Sequence, residues 1–134
     1  MALCVFTVLL YLLDEDSLNK ALIAAHTSLK PGGFLLIDIP SRAIFSSYSR
    51  DDDLIERSVS VINQIGNIYS YQEDMKVKLQ DGRESRYQDT FSIRYWPPEL
   101  VMVALQEVGF VLEADISHRF SGSGSHYFIM KKAE

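Results

Sequence analysis

The chain has 134 residues, 47% of them apolar, and a formal net charge of −5 with an isoelectric point near 5.1. That is one domain of ordinary size with enough apolar material for a core, so a disordered chain is excluded, and its acidity disfavours nucleic acid or an anionic membrane as main partner. A single cysteine, Cys4, allows no internal disulfide and fits a reducing, cytoplasmic setting.

The chain opens MALCVFTVLLYLL, in which twelve of thirteen residues are apolar or aromatic. A membrane span needs ~20 such residues. A signal peptide begins with positive charge, and no Lys or Arg precedes Lys20. The run fits a β-strand buried on both faces, over about residues 2–8, of the kind found in parallel sheets covered by helices. Asp14 or Asp16 can cap the helix that follows, whose Leu18, Leu22, Ala25 and Leu29 form one apolar stripe. KPGG (Lys30 to Gly33) stops that helix, and FLLIDIP (Phe34 to Pro40) is a second short buried strand. Strand, helix and strand with a tight return make a βαβ unit.

SRAIFSSYSRDDD then reads as a polar surface loop or short helix. From Glu56 to Trp96 come three segments rich in Val, Ile and Tyr, broken at Ile65–Asn67 and Gln80–Arg83. Their polar–apolar alternation predicts an antiparallel meander with one wet face, and Asp81-Gly82 is a strong hairpin signal. WPPELVMVALQEVGF restarts the helical code, with Pro98 suited to the first turn, Glu99 to the positive helix end and Gly109 to the stop. FVLEADISHRF and HYFIMKK close the chain as two strands joined by SGSGS. The fold class is therefore α/β, a mostly parallel sheet with an antiparallel last strand plus an inserted antiparallel β-meander.

The residues FTVLLYL, LKPGGFLLID and ELVMVALQEVGF, in that order, resemble the second half of class I S-adenosylmethionine-dependent methyltransferases. The resemblance covers nearly the whole chain. It implies an incomplete Rossmann-like sheet: of the family's seven strands, ordered 3-2-1-4-5-7-6, the chain matches the fourth (2–8), fifth (34–40), sixth (110–117) and seventh (126–132). The first three βα units, with the glycine-rich turn and the acidic residues on ribose and adenine, lie earlier in the family and amount to roughly 100 residues. Residues 1–134 are thus expected to form a single partial domain, with residues 56–96 as a lid over a small-molecule substrate.

Methyl transfer is an in-line displacement, so the enzyme's main contribution is alignment and exclusion of water. Open α/β sheets build such sites at the carboxyl ends of their strands. The resemblance implies that Val5, Phe6 and Thr7, leaving the fourth strand, touch the methionine part of S-adenosylmethionine; the plain alternative is that they are core. Tyr11, Asp38, Tyr48, Arg94 and Trp96 are candidates for the substrate side. Against each stands a structural role: ring packing for Tyr11, capping for Asp38, a polar loop for Tyr48, and anchoring of the lid for Arg94 and Trp96. No residue is singled out as catalytic. SGSGS precedes a strand rather than a helix and is a hairpin turn, not a phosphate cradle. One cysteine and the scattered His26, His118 and His126 offer no zinc-like spacing, so no metal is expected.

The expected activity is methyl transfer to a small molecule by the complete domain, with this chain inactive alone. The alternative is a non-enzymatic assembly module. In either case an apolar fourth strand without its usual neighbour invites pairing, and a homodimer through the N-terminal strand is expected.

Overall fold

The computed structural model describes residues 1–134. Two sheets and two helices make up the molecule. The first sheet contains β1 (Ala2–Cys4), β2 (Phe34–Pro40), β7 (Phe110–Asp115) and β8 (Ser125–Lys132), in the order β1-β2-β8-β7. β1 runs parallel to β2, while β8 is antiparallel to both β2 and β7. This order is that of strands 4-5-7-6 in the expected sheet.

Both helices are written plainly in the sequence. α1 (Glu15–Ser28) starts at Asp14, whose side chain accepts from the Ser17 amide at 2.7 Å, so one free N–H of the first turn is satisfied. α2 (Pro98–Val108) begins with Pro98 in its first turn and ends at Gly109, where φ is +109°. The left-handed conformation favours glycine there, and a Cβ would also crowd the His26 ring at 3.0 Å. Leu18 and Leu22 of α1 and Val101, Ala104 and Leu105 of α2 pack with Leu35, Ile37, Ile39 and Met130 of the sheet to form the core.

The helices cover one face of this sheet only. On the other, Met1, Leu3, Phe34 and Val111 are 84%, 60%, 38% and 49% exposed. β1 also pairs on a single side, so its second edge is open. The expected strand buried on both faces over residues 2–8 is corrected accordingly. It stops at Cys4 because Phe6 and Thr7 take positive φ (67° and 62°), which no strand continues, and Val8–Tyr11 form a 3-10 turn.

The second sheet is antiparallel, and one of its faces stands as a lid over the turn that follows β1. β4 (Ile55–Ile65), β5 (Ile68–Lys78) and β6 (Glu84–Arg94) form the meander, with Gly66 and Gly82 in the left-handed region at its two turns. Where the sequence suggests a polar loop or short helix, there is a short 3-10 turn at Arg42–Ile44 and then a fourth strand: β3 (Tyr48–Asp51) pairs antiparallel with β4. Its composition, YSRD, carries no apolar alternation, because all four residues are exposed at the sheet's edge.

Candidate functional site

The carboxyl ends of β1 and β2 open toward the lid, and a cavity of about 240 Å³ lies between them. Its floor is Thr7, Leu10 and Tyr11 from the turn after β1, and its side is Ile44 and Tyr48 from the stretch after β2. Its roof is the inner face of the lid: Arg57, Tyr71, Glu73, Phe91 and Ile93. Strand register accounts for the roof. Tyr48 pairs with Val59, Val59 with Glu73, and Tyr71 with Phe91, so these side chains share one face of the twisted sheet.

The floor is held by a buried carboxylate. Asp38 is fully buried, and both its oxygens accept from the Thr7 amide, at 3.2 and 3.1 Å. Phe6 and Thr7 are consecutive non-glycine residues in the left-handed region, a conformation costing about 1–3 kcal/mol each unless the surroundings enforce it. The Thr7–Asp38 contact is the enforcement that the structure displays. Burial pushes the Asp38 carboxyl above its ordinary value, while the Thr7 amide and the Ser125 hydroxyl work the other way. Burial, with Asp38 nearby, also pushes the Cys4 thiol up to about 11. Cys4 is therefore a protonated, packed side chain and no nucleophile at neutral pH.

The roof is polar on one side and aromatic on the other. Arg57 Nε donates to Glu73 Oε1 at 2.6 Å, and Arg57 Nη2 donates to the Tyr71 hydroxyl at 3.3 Å. The guanidinium also lies 5.5 Å from the centre of the Tyr48 ring. Burial works against the Arg57 charge, yet the bond to Glu73 and the neighbouring Tyr48 hold its pKa above the ordinary value. Burial and the Tyr48 hydroxyl push Tyr71 up to about 12, so its phenol stays protonated and can donate a hydrogen bond rather than take a proton. Tyr71 stacks on Phe91 (centroids 4.7 Å, 19°), and Tyr11 tilts against the same ring at 5.6 Å.

Of the residues singled out from sequence, Thr7, Tyr11 and Tyr48 meet around this cavity. Val5 and Phe6 do not line it; Val5 is half-buried and Phe6 is 85% exposed beyond the end of β1. Asp38 reaches it through Thr7. Arg94 and Trp96 do not wall it. Trp96 is 2% exposed, its indole N–H shared between the carbonyls of Leu9 (3.1 Å) and Leu12 (3.0 Å). Arg94 lies 4.0 Å over that ring and donates to the Leu13 carbonyl at 2.8 Å. Of the two readings open for Arg94 and Trp96, the contacts are those of an anchor: the pair ties the end of β6 to the turn after β1, since a buried indole must find an acceptor for its N–H. Arg57, Glu73, Tyr71 and Phe91 escaped the sequence reading. The signal available was their position on one alternating face of the meander, but alternation does not say which face meets the rest of the molecule.

No protein-family profile and no curated protein matches the chain. Solved structures do. An S-adenosylmethionine-dependent methyltransferase from Clostridium acetobutylicum ATCC 824 superposes with a TM-score of 0.84 at 17% identity, over 98% of this chain and 57% of the other. An amino pentose methyltransferase from Micromonospora echinaspora, involved in calicheamicin biosynthesis, matches with a TM-score of 0.74 at 18% identity, over 98% and 58%. A sugar N-methyltransferase from Streptoalloteichus sp ATCC 53650 matches with 0.71 at 19%, over 99% and 56%. The fold is that of these methyltransferases, and the chain spans a little over half of their length.

Proposed function

We propose that this chain is the acceptor-binding part of a methyltransferase domain that uses S-adenosylmethionine to methylate a small molecule, and that it is inactive alone. The single observation carrying this reading is the lidded cavity at the carboxyl ends of two parallel strands, on a methyltransferase fold. S-adenosylmethionine, when bound, supplies an electrophilic methyl group. The residues at the exit of β1 fit the methionine end of that molecule: the loop is fixed from beneath by Asp38, and the Phe6 ring stands with most of its surface uncovered. Val5, Phe6 and Thr7 would hold it there. Thr7 and Tyr11 orient what lies in the cavity, and the lid strands exclude water from it.

The test is complementation. Joined to a preceding segment that carries strands for the open edge of β1, the protein should release S-adenosylhomocysteine in the presence of acceptor. Residues 1–134 alone should not. A completed domain that fails to bind S-adenosylmethionine by calorimetry sinks the reading.

A second reading is favoured by the open edge of β1 and the bare sheet face beside it, where Leu3 is 60% exposed. In it the chain is an assembly module that forms a two-fold homodimer by pairing β1 with its copy. Leu3→Lys should then abolish the dimer, measured by sedimentation. A wild-type chain that sediments as a compact monomer removes this reading. A small-molecule partner in a reducing, cytoplasmic compartment fits the first reading; no helix of the chain is long and apolar enough to cross a membrane.

A further inference from the structure

Resting on the reading of the lidded cavity as an acceptor site, we propose that Gly124, in the loop between β7 and β8, is a positioning residue that sets the width of the cavity through Ile44. The loop thereby decides how broad an acceptor the site admits. Gly124 belongs to SGSGS (residues 121–125), and none of these five residues lines the cavity. The glycine stands behind the wall instead. A Cβ on Gly124 would lie 2.9 Å from Ile44 Cγ1 and 3.3 Å from Ile44 Cδ1, and Ile44 is part of the cavity's side. Non-bonded carbons sit best ~3.5–4.0 Å apart, so a methyl group at position 124 must displace the isoleucine.

That side chain has one direction in which to yield. Its turn, Arg42–Ile44, is pinned on the loop side by the Ser41 amide, which donates to the Gly124 carbonyl at 2.8 Å. On the lid side the Phe45 ring packs with its centre 5.1 Å from that of Tyr69 and 5.7 Å from that of Tyr95. Arg42 lies 4.2 Å over the same Tyr95 ring. With the backbone held on both sides, the displaced isoleucine moves into the open volume beside it, which is the cavity. At about 240 Å³ the cavity is smaller than the ~300–1,000 Å³ usual for drug-sized ligands, so a methyl group's worth of room matters there.

Conformation and space can be separated within this one loop. Gly122 and Gly124 both take left-handed φ, +84° and +80°. A Cβ on Gly122 meets nothing within 4 Å, while one on Gly124 meets only the two Ile44 atoms. Alanine at 122 thus carries the backbone strain of alanine at 124 without the contact.

Every residue lining the cavity belongs to this chain, so binding is read on residues 1–134 without the cofactor-binding part. The experiment is a titration with phenol and with naphthol, followed by nuclear magnetic resonance at the Tyr71 and Phe91 rings. Gly124→Ala should lower the affinity for naphthol relative to phenol about tenfold, as overpacking does. Gly122→Ala should leave that ratio at its wild-type value. Ile44→Ala should raise it, and adding Gly124→Ala to Ile44→Ala should change it no further, because the extra methyl then meets nothing. The last pair decides the matter where Gly124→Ala alone does not fold. The proposal is overturned by a ratio that falls equally in Gly122→Ala, or one that Gly124→Ala still lowers beside Ile44→Ala. A ratio unmoved in Gly124→Ala and in Ile44→Ala also overturns it, and leaves the acceptor site standing. Ring signals that stay still with both probes overturn the acceptor site itself.

Discussion

The α/β layer and the lid hold together by different means. The connected core of thirteen buried residues draws on β2, β7, β8, both helices and the segments beside them, with Trp96 at the junction, and contains no residue of the four lid strands. Of the lid strands' residues only Val59, Ser70 and Ile93 are buried. The lid is kept in shape by long antiparallel ladders of eleven-residue strands and by cross-strand ion pairs such as Arg86–Asp74. A layer stabilised by apolar burial has its side chains committed to packing. A layer stabilised by its backbone leaves one face free to carry chemistry, and here that face roofs the cavity.

This contrast can be broken most sharply at Trp96, where the two regions meet. Trp96→Ala should cost about 3–5 kcal/mol in urea unfolding, because a fully packed indole and both its carbonyl contacts are lost. A loss within ~1 kcal/mol, the usual range for a surface site, would show that the lid does not depend on this anchor.

Asp38→Asn sharpens the comparison from the α/β side. Burial raises the folded-state pKa of Asp38 above the ordinary 3.8. Its contribution to stability is therefore full below pH 3.8 and is lost as pH rises through the folded value. The wild type should show a component of urea stability that declines above pH 3.8, and Asp38→Asn should lack it. The Thr7 amide should also exchange faster in Asp38→Ala, which removes both acceptor oxygens. Identical pH profiles for wild type and Asp38→Asn would count against an energetic role for the buried carboxylate.

Asp14 runs the other way. The Ser17 amide, followed by the Ser17 hydroxyl, holds its pKa below 3.8, so its contribution is present above 3.8 and lost as pH falls through the folded value. Asp14→Ala should lower the melting temperature by a few degrees at neutral pH, through loss of the α1 cap, with a difference that shrinks in acid. The smallest effect is expected in the lid. Arg57→Met should change stability by no more than ~1 kcal/mol, since the pair with Glu73 is partly solvated, while weakening acceptor binding. A larger loss of stability would place Arg57 with the packed residues rather than the functional ones.

Much of the fold was readable in the sequence because local rules act there unopposed. Asp14, Pro98 and Gly109 mark the helix ends by backbone chemistry that any helix obeys. Asp81-Gly82 fixes a hairpin, since Gly82 needs positive φ. The errors fall where a distant partner decides. The apolar run after Cys4 reads as strand, yet the Thr7 amide turns to Asp38, thirty-one residues away, and the backbone is bent into the left-handed region. β3 is polar throughout and becomes a strand because β4 offers it a ladder.

The candidate site was less readable than the fold. Thr7, Tyr11 and Tyr48, named from the sequence because strand ends in open α/β sheets are expected places for ligands, do line the cavity. Arg57, Glu73 and Tyr71 were not named, because a meander with one wet face has two possible orientations. By itself the sequence determined the helices and the hairpins, set by contacts along the chain or by burial of apolar runs, while the order of strands came only through the family resemblance. Only the tertiary structure decided which lid face looks inward, that Trp96 is an anchor, and that Asp38 props the cavity floor. Each of these depends on desolvation and hydrogen bonding between segments whose approach no local pattern encodes.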